Sequence, residues 1–319
     1  MRTMSHYLLT GGCGFIGSHL AAALIAAGHR VRVLDDLSTG SEANLAPGAV
    51  LIRGDVADPL TVRAAMEGVD GCFHLAAIAS VERGVREWLA THRINLSATI
   101  GLFDAARAAG GLPVVYASSA AVYGDPAALP IDEDTPCRPL SAYGADKLGC
   151  EQQARVAGAV HGVPTFGLRF FNVFGPRQDP RSPYSGVISI FCDRLSRGEP
   201  VGIYGDGRQT RDFIYVADIV AGLLAAMGAA DTRAPVANLC TGHPTTILEL
   251  AGIIARLCGT SLQVNHLPPR SGEIRESVGA PARARRALGL GAPIGLEAGL
   301  AEVIGWLRAG RPGLAQPHT

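Results

Sequence analysis

A charge imbalance is the first thing this sequence lacks. Lys+Arg and Asp+Glu are both 28 among 319 residues, so the formal charge is zero. Nothing in that balance favours nucleic acid or an anionic membrane as a partner, and any anionic ligand must be held by a few local cations. A cysteine framework is also lacking. The seven cysteines (Cys13, Cys72, Cys137, Cys150, Cys192, Cys240, Cys258) are odd in number and scattered, with no Cys-x-x-Cys pair. Neither a zinc site nor a disulfide framework is indicated, and no metal is expected. They fit small buried residues in a reducing cytosol. No apolar run is long enough to span a bilayer, and Met-Arg-Thr-Met-Ser-His has no signal-peptide core, so a cytoplasmic location is expected. Repeats are absent, and the 40 glycines read as tight helix–sheet packing rather than low complexity. The length allows one large or two modest domains around a substantial core.

What is present begins at Tyr7-Leu8-Leu9-Thr10-Gly11-Gly12-Cys13-Gly14-Phe15-Ile16-Gly17-Ser18-His19-Leu20. A short apolar run passes through glycines into an apolar helical pattern: a strand, a tight turn and a helix. Gly11 permits the sharp turn, Gly14 removes a side chain where a pyrophosphate would approach, and Gly17 lets the helix pack close to the strand. The helix N-terminus offers N–H groups and partial positive charge to phosphates. The next strand-like run ends in Asp35-Asp36, and Asp35 lies 18 residues after Gly17. An acid there accepts hydrogen bonds from a ribose 2′-OH and repels a 2′-phosphate, which favours NAD over NADP; the alternative is a plain exposed turn acid.

Strand-like and helical patterns then alternate. Residues 50–53 read as a third strand, 59–67 as a helix, 71–77 as a fourth strand, helical patterns run to about Ala109, and 114–117 form a fifth strand. Such alternation means parallel βαβ units, hence an α/β, Rossmann-type doubly wound sheet with ligands beyond the C-terminal ends of its strands. Strand-end residues Asp55 and Val56 are therefore candidates near an adenine, and Leu75, Ala76 and Ala77 beside a dinucleotide, although strand-end packing would look the same. The fifth strand runs into Ser118-Ser119-Ala120-Ala121-Val122-Tyr123-Gly124. After a loop rich in Pro and acids, Ser141-Ala142-Tyr143-Gly144-Ala145-Asp146-Lys147 opens a long helical pattern. Tyr143 and Lys147 are four apart and share a helix face. An ammonium beside a phenol favours the phenolate, which can act as general base on a sugar hydroxyl, with a serine hydroxyl holding the same oxygen.

With these residues in this order, the chain resembles an extended short-chain dehydrogenase/reductase. Within that group it resembles the nucleotide-sugar 4-epimerases of the UDP-glucose (UDP-galactose) 4-epimerase type, over essentially its whole length to about residue 308. The resemblance implies Ser119, Tyr143 and Lys147 as a catalytic triad; Ser119 is preferred to Ser118 because it directly precedes the Ala120–Gly124 stretch where the family places its catalytic Ser/Thr. It implies a retained NAD that takes a hydride from sugar C4 and returns it to the opposite face after the 4-ketose has rotated. Cofactor contacts are then expected at Gly11, Gly14, Phe15, Ile16 and Gly17, at Asp35, Asp36, Leu37, Ser38, Thr39 and Gly40, and at Asp55, Val56, Leu75, Ala76, Ala77, Asn95, Ser118, Tyr143, Lys147 and Phe170. Nucleotide-sugar 4,6-dehydratases typically carry Asp-Glu after the catalytic Ser/Thr. Ala120-Ala121 stands here instead, which disfavours dehydration.

The resemblance further implies an NAD domain over residues 1–170, to which a segment near 211–240 returns, a smaller α/β substrate domain mainly over 171–308, and a flexible tail at 309–319. Substrate contacts are expected at Ser80, Ser119, Tyr143, Asn172, Val187, Ile188, Ile203, Tyr204, Arg211, Phe213, Arg270, Glu273 and Ser277. Arg211 would clamp a diphosphate with Asp212 orienting it, unless the two form a mere surface ion pair. Arg270 would meet the diphosphate and Glu273 the ribose of UDP. Ser277 would leave room around the sugar's C2 substituent, so N-acetylated UDP-sugars are expected to be tolerated. A homodimer is implied, through a four-helix bundle of the helix around 86–109 and the one opening at Tyr143. Alternatives are a UDP-glucuronate 4-epimerase, with Arg83, Arg86, Arg177 and Arg181 as possible carboxylate partners, a reductase that releases NADH, and a non-catalytic NAD-binding protein.

Overall fold

The computed structural model describes residues 4–79, 81–179, 186–269 and 274–310. Ser80, Arg181, Arg270 and Glu273, all named above, lie outside the described residues.

The first half alternates as its pattern predicts: β1 (His6–Thr10), α1 (Phe15–Ala26), β2 (Arg30–Asp35), β3 (Val50–Arg53), α2 (Pro59–Met66) and β4 (Gly71–His74). Then come α3 (Val81–Arg86), α4 (Trp88–His92), a π-helical turn over Arg93–Ser97, α5 (Ala98–Ala108), β5 (Val114–Ser119), α6 (Ala142–His161) and β6 (Thr165–Phe170). The second half holds β7 (Asn172–Phe174), α7 (Val187–Ser196), β8 (Val201–Tyr204), β9 (Thr210–Tyr215), α8 (Val216–Gly228), β10 (Val236–Leu239), β11 (Pro244–Thr246) and α9 (Ile247–Cys258). It ends with β12 (Val264–Leu267), β13 (Glu276–Ser277), α10 (Ala282–Leu288) and α11 (Leu296–Arg308).

Seven strands form one parallel sheet in the order β10-β6-β5-β4-β1-β2-β3. The order runs outward in both directions from β1 and β4, so the strand ends open a crevice between them. Fully buried apolar strands such as Gly71–His74 and Thr165–Phe170 are what a sheet covered on both faces requires. One apolar cluster, with Leu9, Val33, Phe166 and Leu223, and another, with Leu8, Leu102, Val114 and Cys150, fill its two faces. The late return to this sheet runs through α8 and β10, while β9 lies in a second sheet of β11, β9 and β13, with β7 alongside. That second sheet packs with α7, α9 and α11 around Phe174, Phe191, Leu250 and Leu300. No helix among the described residues is long and apolar enough to cross a membrane.

Two strand ends differ from the pattern reading, for local reasons. β4 stops at His74, short of Ala77, because the Thr10 hydroxyl takes the N–H groups of Leu75 and Ala76 at 3.2 Å and bends the chain away. β5 runs on to Ser119, because β6 supplies pairing as far as Phe170.

Candidate active site

The glycine turn is packed as its spacing demands. A Cβ on Gly17 would meet the Gly11 carbonyl oxygen at 2.1 Å, whereas one on Gly14 would meet only that oxygen, at 3.3 Å. Gly17 is thus required by the protein itself, and Gly14 keeps open a cradle at the mouth of α1. Gly14 caps α1 without a side-chain hydrogen bond, and no acid stands in the first turn to offset the helix's partial charge.

From this turn a cavity of about 630 Å³ runs along the ends of the large sheet. At one end lie Asp35, Asp36, Ser38, Thr39, Gly40, Asp55 and Val56; Gly11, Gly14, Phe15, Ile16 and Gly17 lie along it, with Leu75, Ala76 and Ala77; Ser118, Ser119, Tyr143, Lys147 and Phe170 close the other end. The strand order sets these linings side by side along the sheet, from the ends of β3 and β2 past β1 and β4 to β5 and β6. Asn44 and Gln178 also line the cavity, and each carries a buried amide oxygen with no hydrogen-bond partner, as acceptors for a ligand's N–H or O–H would. Asp35 is buried. Its carboxylate accepts the N–H groups of Cys13 and Leu37, both at 2.9 Å, which leaves lone pairs on each oxygen for ribose hydroxyls. Burial raises its pKa against the opposing pull of those two N–H groups. Leu37 does not line the cavity; it stands behind, at φ +60°, packed on the core.

The reactive end is assembled by α6. The Ser141 hydroxyl accepts the Gly144 N–H at 3.1 Å and starts the helix, so Tyr143 falls in its first turn. Gly144 sits so close to the turn after β5 that a Cβ would meet the Ala121 carbonyl oxygen at 2.5 Å. This close approach sets Tyr143 against the Ser119 strand end. The Ser119 hydroxyl accepts the Ala121 N–H at 3.1 Å and retains its own proton for another acceptor. Lys147 is 3% exposed, donates to the Ala117 carbonyl at 2.8 Å, and holds its ammonium 5.8 Å from the Tyr143 ring centroid.

Behind these side chains lie two polar networks that the pattern reading did not identify. Glu151 follows Tyr143 and Lys147 on the same helix face at the same four-residue interval. It takes a bidentate pair from Arg169 (2.9 and 2.7 Å) and the Ser118 hydroxyl (2.5 Å), and Arg169 also donates to the Tyr123 hydroxyl at 2.7 Å. Burial disfavours the charge on Arg169, but the Glu151 carboxylate outweighs it and raises the pKa. An arginine inside an apolar strand and an acid on a buried helix face were the available signals. The second network starts at Thr10. Its hydroxyl, already accepting from Leu75 and Ala76, meets His74 Nδ1 at 2.8 Å, and His74 Nε2 meets the Thr99 hydroxyl at 3.0 Å. Thr99 in turn donates to the Asn95 carbonyl at 2.7 Å. That direction makes His74 neutral, with its proton on Nε2.

Asn95 does not line the cavity. The π-helical turn carries it inward, where its amide accepts the Ile78 N–H at 2.8 Å and donates to the Ile78 carbonyl at 3.0 Å. It holds the segment after β4 rather than facing a ligand. Asp212 is a correction to the expectation that it orients Arg211. Successive strand residues point to opposite faces, and the fully buried Asp212 carboxylate accepts from Thr241, Gly242 and Gly279. Arg211 Nη1 reaches the Thr210 carbonyl at 2.8 Å, and Ser277 lies beside Arg211 in register. Asn172 Nδ2 approaches the Asp212 carbonyl at 3.4 Å. Ile188, Ile203 and Phe213 are buried in the apolar cluster beside the second sheet, with Val187 packed on it, and Tyr204 is half-buried at the end of β8.

Comparison with known proteins assigns the chain a family. Residues 7–240 match the model of the NAD dependent epimerase/dehydratase family. The UDP-glucose 4-epimerase of Mycolicibacterium smegmatis is 37% identical over 308 residues, covering 94% of this chain and 98% of that protein. The structure of a Thermotoga maritima UDP-glucose 4-epimerase with UDP-glucose superposes with a TM-score of 0.92 at 34% identity, covering 96% and 99% of the two chains. A UDP-N-acetylglucosamine 4-epimerase from Methanobrevibacter ruminantium, in complex with UDP-N-acetylmuramic acid, gives a TM-score of 0.91 at 34% identity, covering 97% and 100%. The chain belongs to the NAD-dependent epimerase/dehydratase family, with NAD as its cofactor and epimerisation as its class of reaction.

Proposed function

We propose that this enzyme is a nucleotide-sugar 4-epimerase that interconverts UDP-glucose and UDP-galactose, with room for the N-acetylated pair. The observation that carries the reading is that Ser119, Tyr143 and Lys147 close the same cavity that the glycine turn lines and whose far end holds Asp35. When bound, NAD⁺ supplies the reversible oxidation of the sugar at C4. Tyr143, as general base, takes the proton of the 4-hydroxyl and later returns it. The Ser119 hydroxyl holds that sugar oxygen through both half-reactions. Lys147, fixed by the Ala117 carbonyl, supplies positive charge beside the Tyr143 ring. Arg211 anchors the diphosphate, so the 4-keto sugar can turn while UDP stays fixed, and the binding energy is best placed on the part that does not react. By the family resemblance Arg270 and Glu273 serve the same anchor. With alanines at 120 and 121, no acid pair adjoins Ser119 to drive elimination of water.

The relatives named for UDP-glucose and for UDP-N-acetylglucosamine support both sugars, and the small Ser277 supports tolerance at C2. A second copy of the chain is the expected partner. Trp88, Leu89, Ile100, Val156 and Val160, on α4, α5 and α6, are exposed apolar side chains, from 40% to 81% accessible, on the helices expected to form the dimer bundle. Light scattering of the purified protein tests this, and a monomer at micromolar concentration would refute it. A proton NMR time course without added NAD tests the activity, with UDP-glucose, UDP-GlcNAc and UDP-glucuronate in turn. Anomeric signals of the galacto epimer growing to equilibrium are expected from the first two. No change with any of them, even after NAD is added, would overturn the proposal.

A further inference from the structure

We infer that Arg177 is a cofactor-binding residue whose guanidinium clamps the dinucleotide diphosphate from the side opposite the N-terminus of α1. The inference rests on the cofactor cavity and not on the choice of sugar. Arg177 lines that cavity together with Gly14, Phe15 and Ile16. It follows Gly175 and Pro176 in a loop pinned to α1: His19 Nε2 donates to the Pro176 carbonyl at 2.9 Å, and a Cβ on Gly175 would meet the Phe15 ring at 3.3 Å.

Two features of Arg177 call for a ligand. Its backbone sits at φ +67°, a region that side-chain-bearing residues seldom occupy and that tends to persist at functional positions. Its guanidinium is half-buried, and burial lowers its pKa, yet no hydrogen bond or ion pair reaches it among the described residues. Several other arginines are paired: Arg169 with Glu151, Arg93 with Asp55, Arg283 with Asp134. Half-burying a cation without a counterion is unfavourable, and a diphosphate beside α1 would supply one. The planar fork suits two phosphate oxygens, while the helix offers N–H groups from the other side. A sugar carboxylate fits less well, because the sugar end of the cavity is marked by Ser119 and Tyr143, whereas the loop that carries Arg177 is packed on Phe15 and His19.

The test is calorimetric titration of the apo protein, wild type, Arg177→Gly and Arg177→Asn, with NAD⁺, ADP-ribose, adenosine and UDP-glucuronate. Both substitutions suit a positive φ and remove only the charged arm, so melting temperatures should match the wild type. In both variants NAD⁺ and ADP-ribose should bind roughly 10- to 100-fold more weakly, the loss of one or two charge-assisted hydrogen bonds, with adenosine unchanged. Unchanged NAD⁺ and ADP-ribose affinity would overturn the inference. So would an equal loss for adenosine, or a loss in the glycine variant alone, since those outcomes mean damage to the loop. Unchanged NAD⁺ binding with weakened UDP-glucuronate binding would assign Arg177 to a substrate carboxylate instead. Failure of the epimerase reading would appear in the NMR assay and leave these affinities untouched.

Discussion

Glu151→Gln tests how the helix that carries Tyr143 and Lys147 is held. The carboxylate is 4% exposed and takes three hydrogen bonds, two from Arg169 and one from Ser118. Glutamine keeps the shape and one acceptor oxygen, but it loses the charge and turns an amide donor towards groups that are themselves donors. Removing one partner of a buried ion pair costs about 3–5 kcal/mol, and the retained acceptor places this substitution near 3 kcal/mol. In a chain of this size that is a fall in Tm on the order of 6 °C. The exposed pair Arg63–Asp104, at 59% and 42% accessibility, is the control, and Arg63→Gln should cost roughly 0–1 kcal/mol. Urea unfolding followed by circular dichroism measures both. Raised ionic strength should shrink the small effect and leave the large one. Because Glu151 shares a helix face with Tyr143 and Lys147, kcat should fall while KM changes little. The double substitution Glu151→Leu with Arg169→Met should be more stable than either single change, since an apolar pair leaves no buried charge unmatched. A Glu151→Gln protein within about 0.5 kcal/mol of wild type would refute the reasoning.

Four further outcomes follow from the same geometry. Tyr143→Phe should lower kcat by about 10²–10⁴-fold with thermal stability and bound NAD unchanged; retained turnover would remove Tyr143 from the proton transfer. Burial, with a smaller contribution from the Lys147 charge, holds the His74 pKa at about 3 against an ordinary 6.5. Below about pH 6.5 the unfolded chain therefore binds a proton that the folded protein refuses, so this stability is intact above 6.5 and is lost at up to about 1.4 kcal/mol per pH unit as the pH falls towards 3. Urea midpoints across that window should decline more steeply in wild type than in His74→Gln, and equal slopes would refute the buried neutral ring. Asn95→Ala should cost about 2–4 kcal/mol by leaving the Ile78 N–H and carbonyl unpaired, and should release NAD on gel filtration where the wild type keeps it. Ser277→Tyr should lower kcat/KM for UDP-GlcNAc about tenfold relative to UDP-glucose; an unchanged ratio would place the C2 pocket elsewhere.

The features legible in the sequence share one property: each is local. The glycine turn, the acid 18 residues beyond it, the serines at a strand end and the Tyr–Lys pair one helical turn apart are set by backbone geometry over a few residues. Strand and helix spacing then carry those short patterns to the same crevice of a doubly wound sheet. The sequence alone therefore determines the fold class, the cofactor cradle and the reactive end. Tertiary structure decided the rest, because burial and partner choice depend on residues far apart along the chain. Asn95 turns to Ile78 through a π-helical turn that no spacing rule announces. Asp212, adjacent to Arg211, serves Thr241, Gly242 and Gly279 on the opposite face of its strand. Glu151 meets Arg169 only because α6 lies across β5 and β6. Arg177 acquires its meaning from a left-handed backbone beside α1 and from the lack of an ion pair to it among the described residues, and both are properties of packing, which sequence patterns do not record.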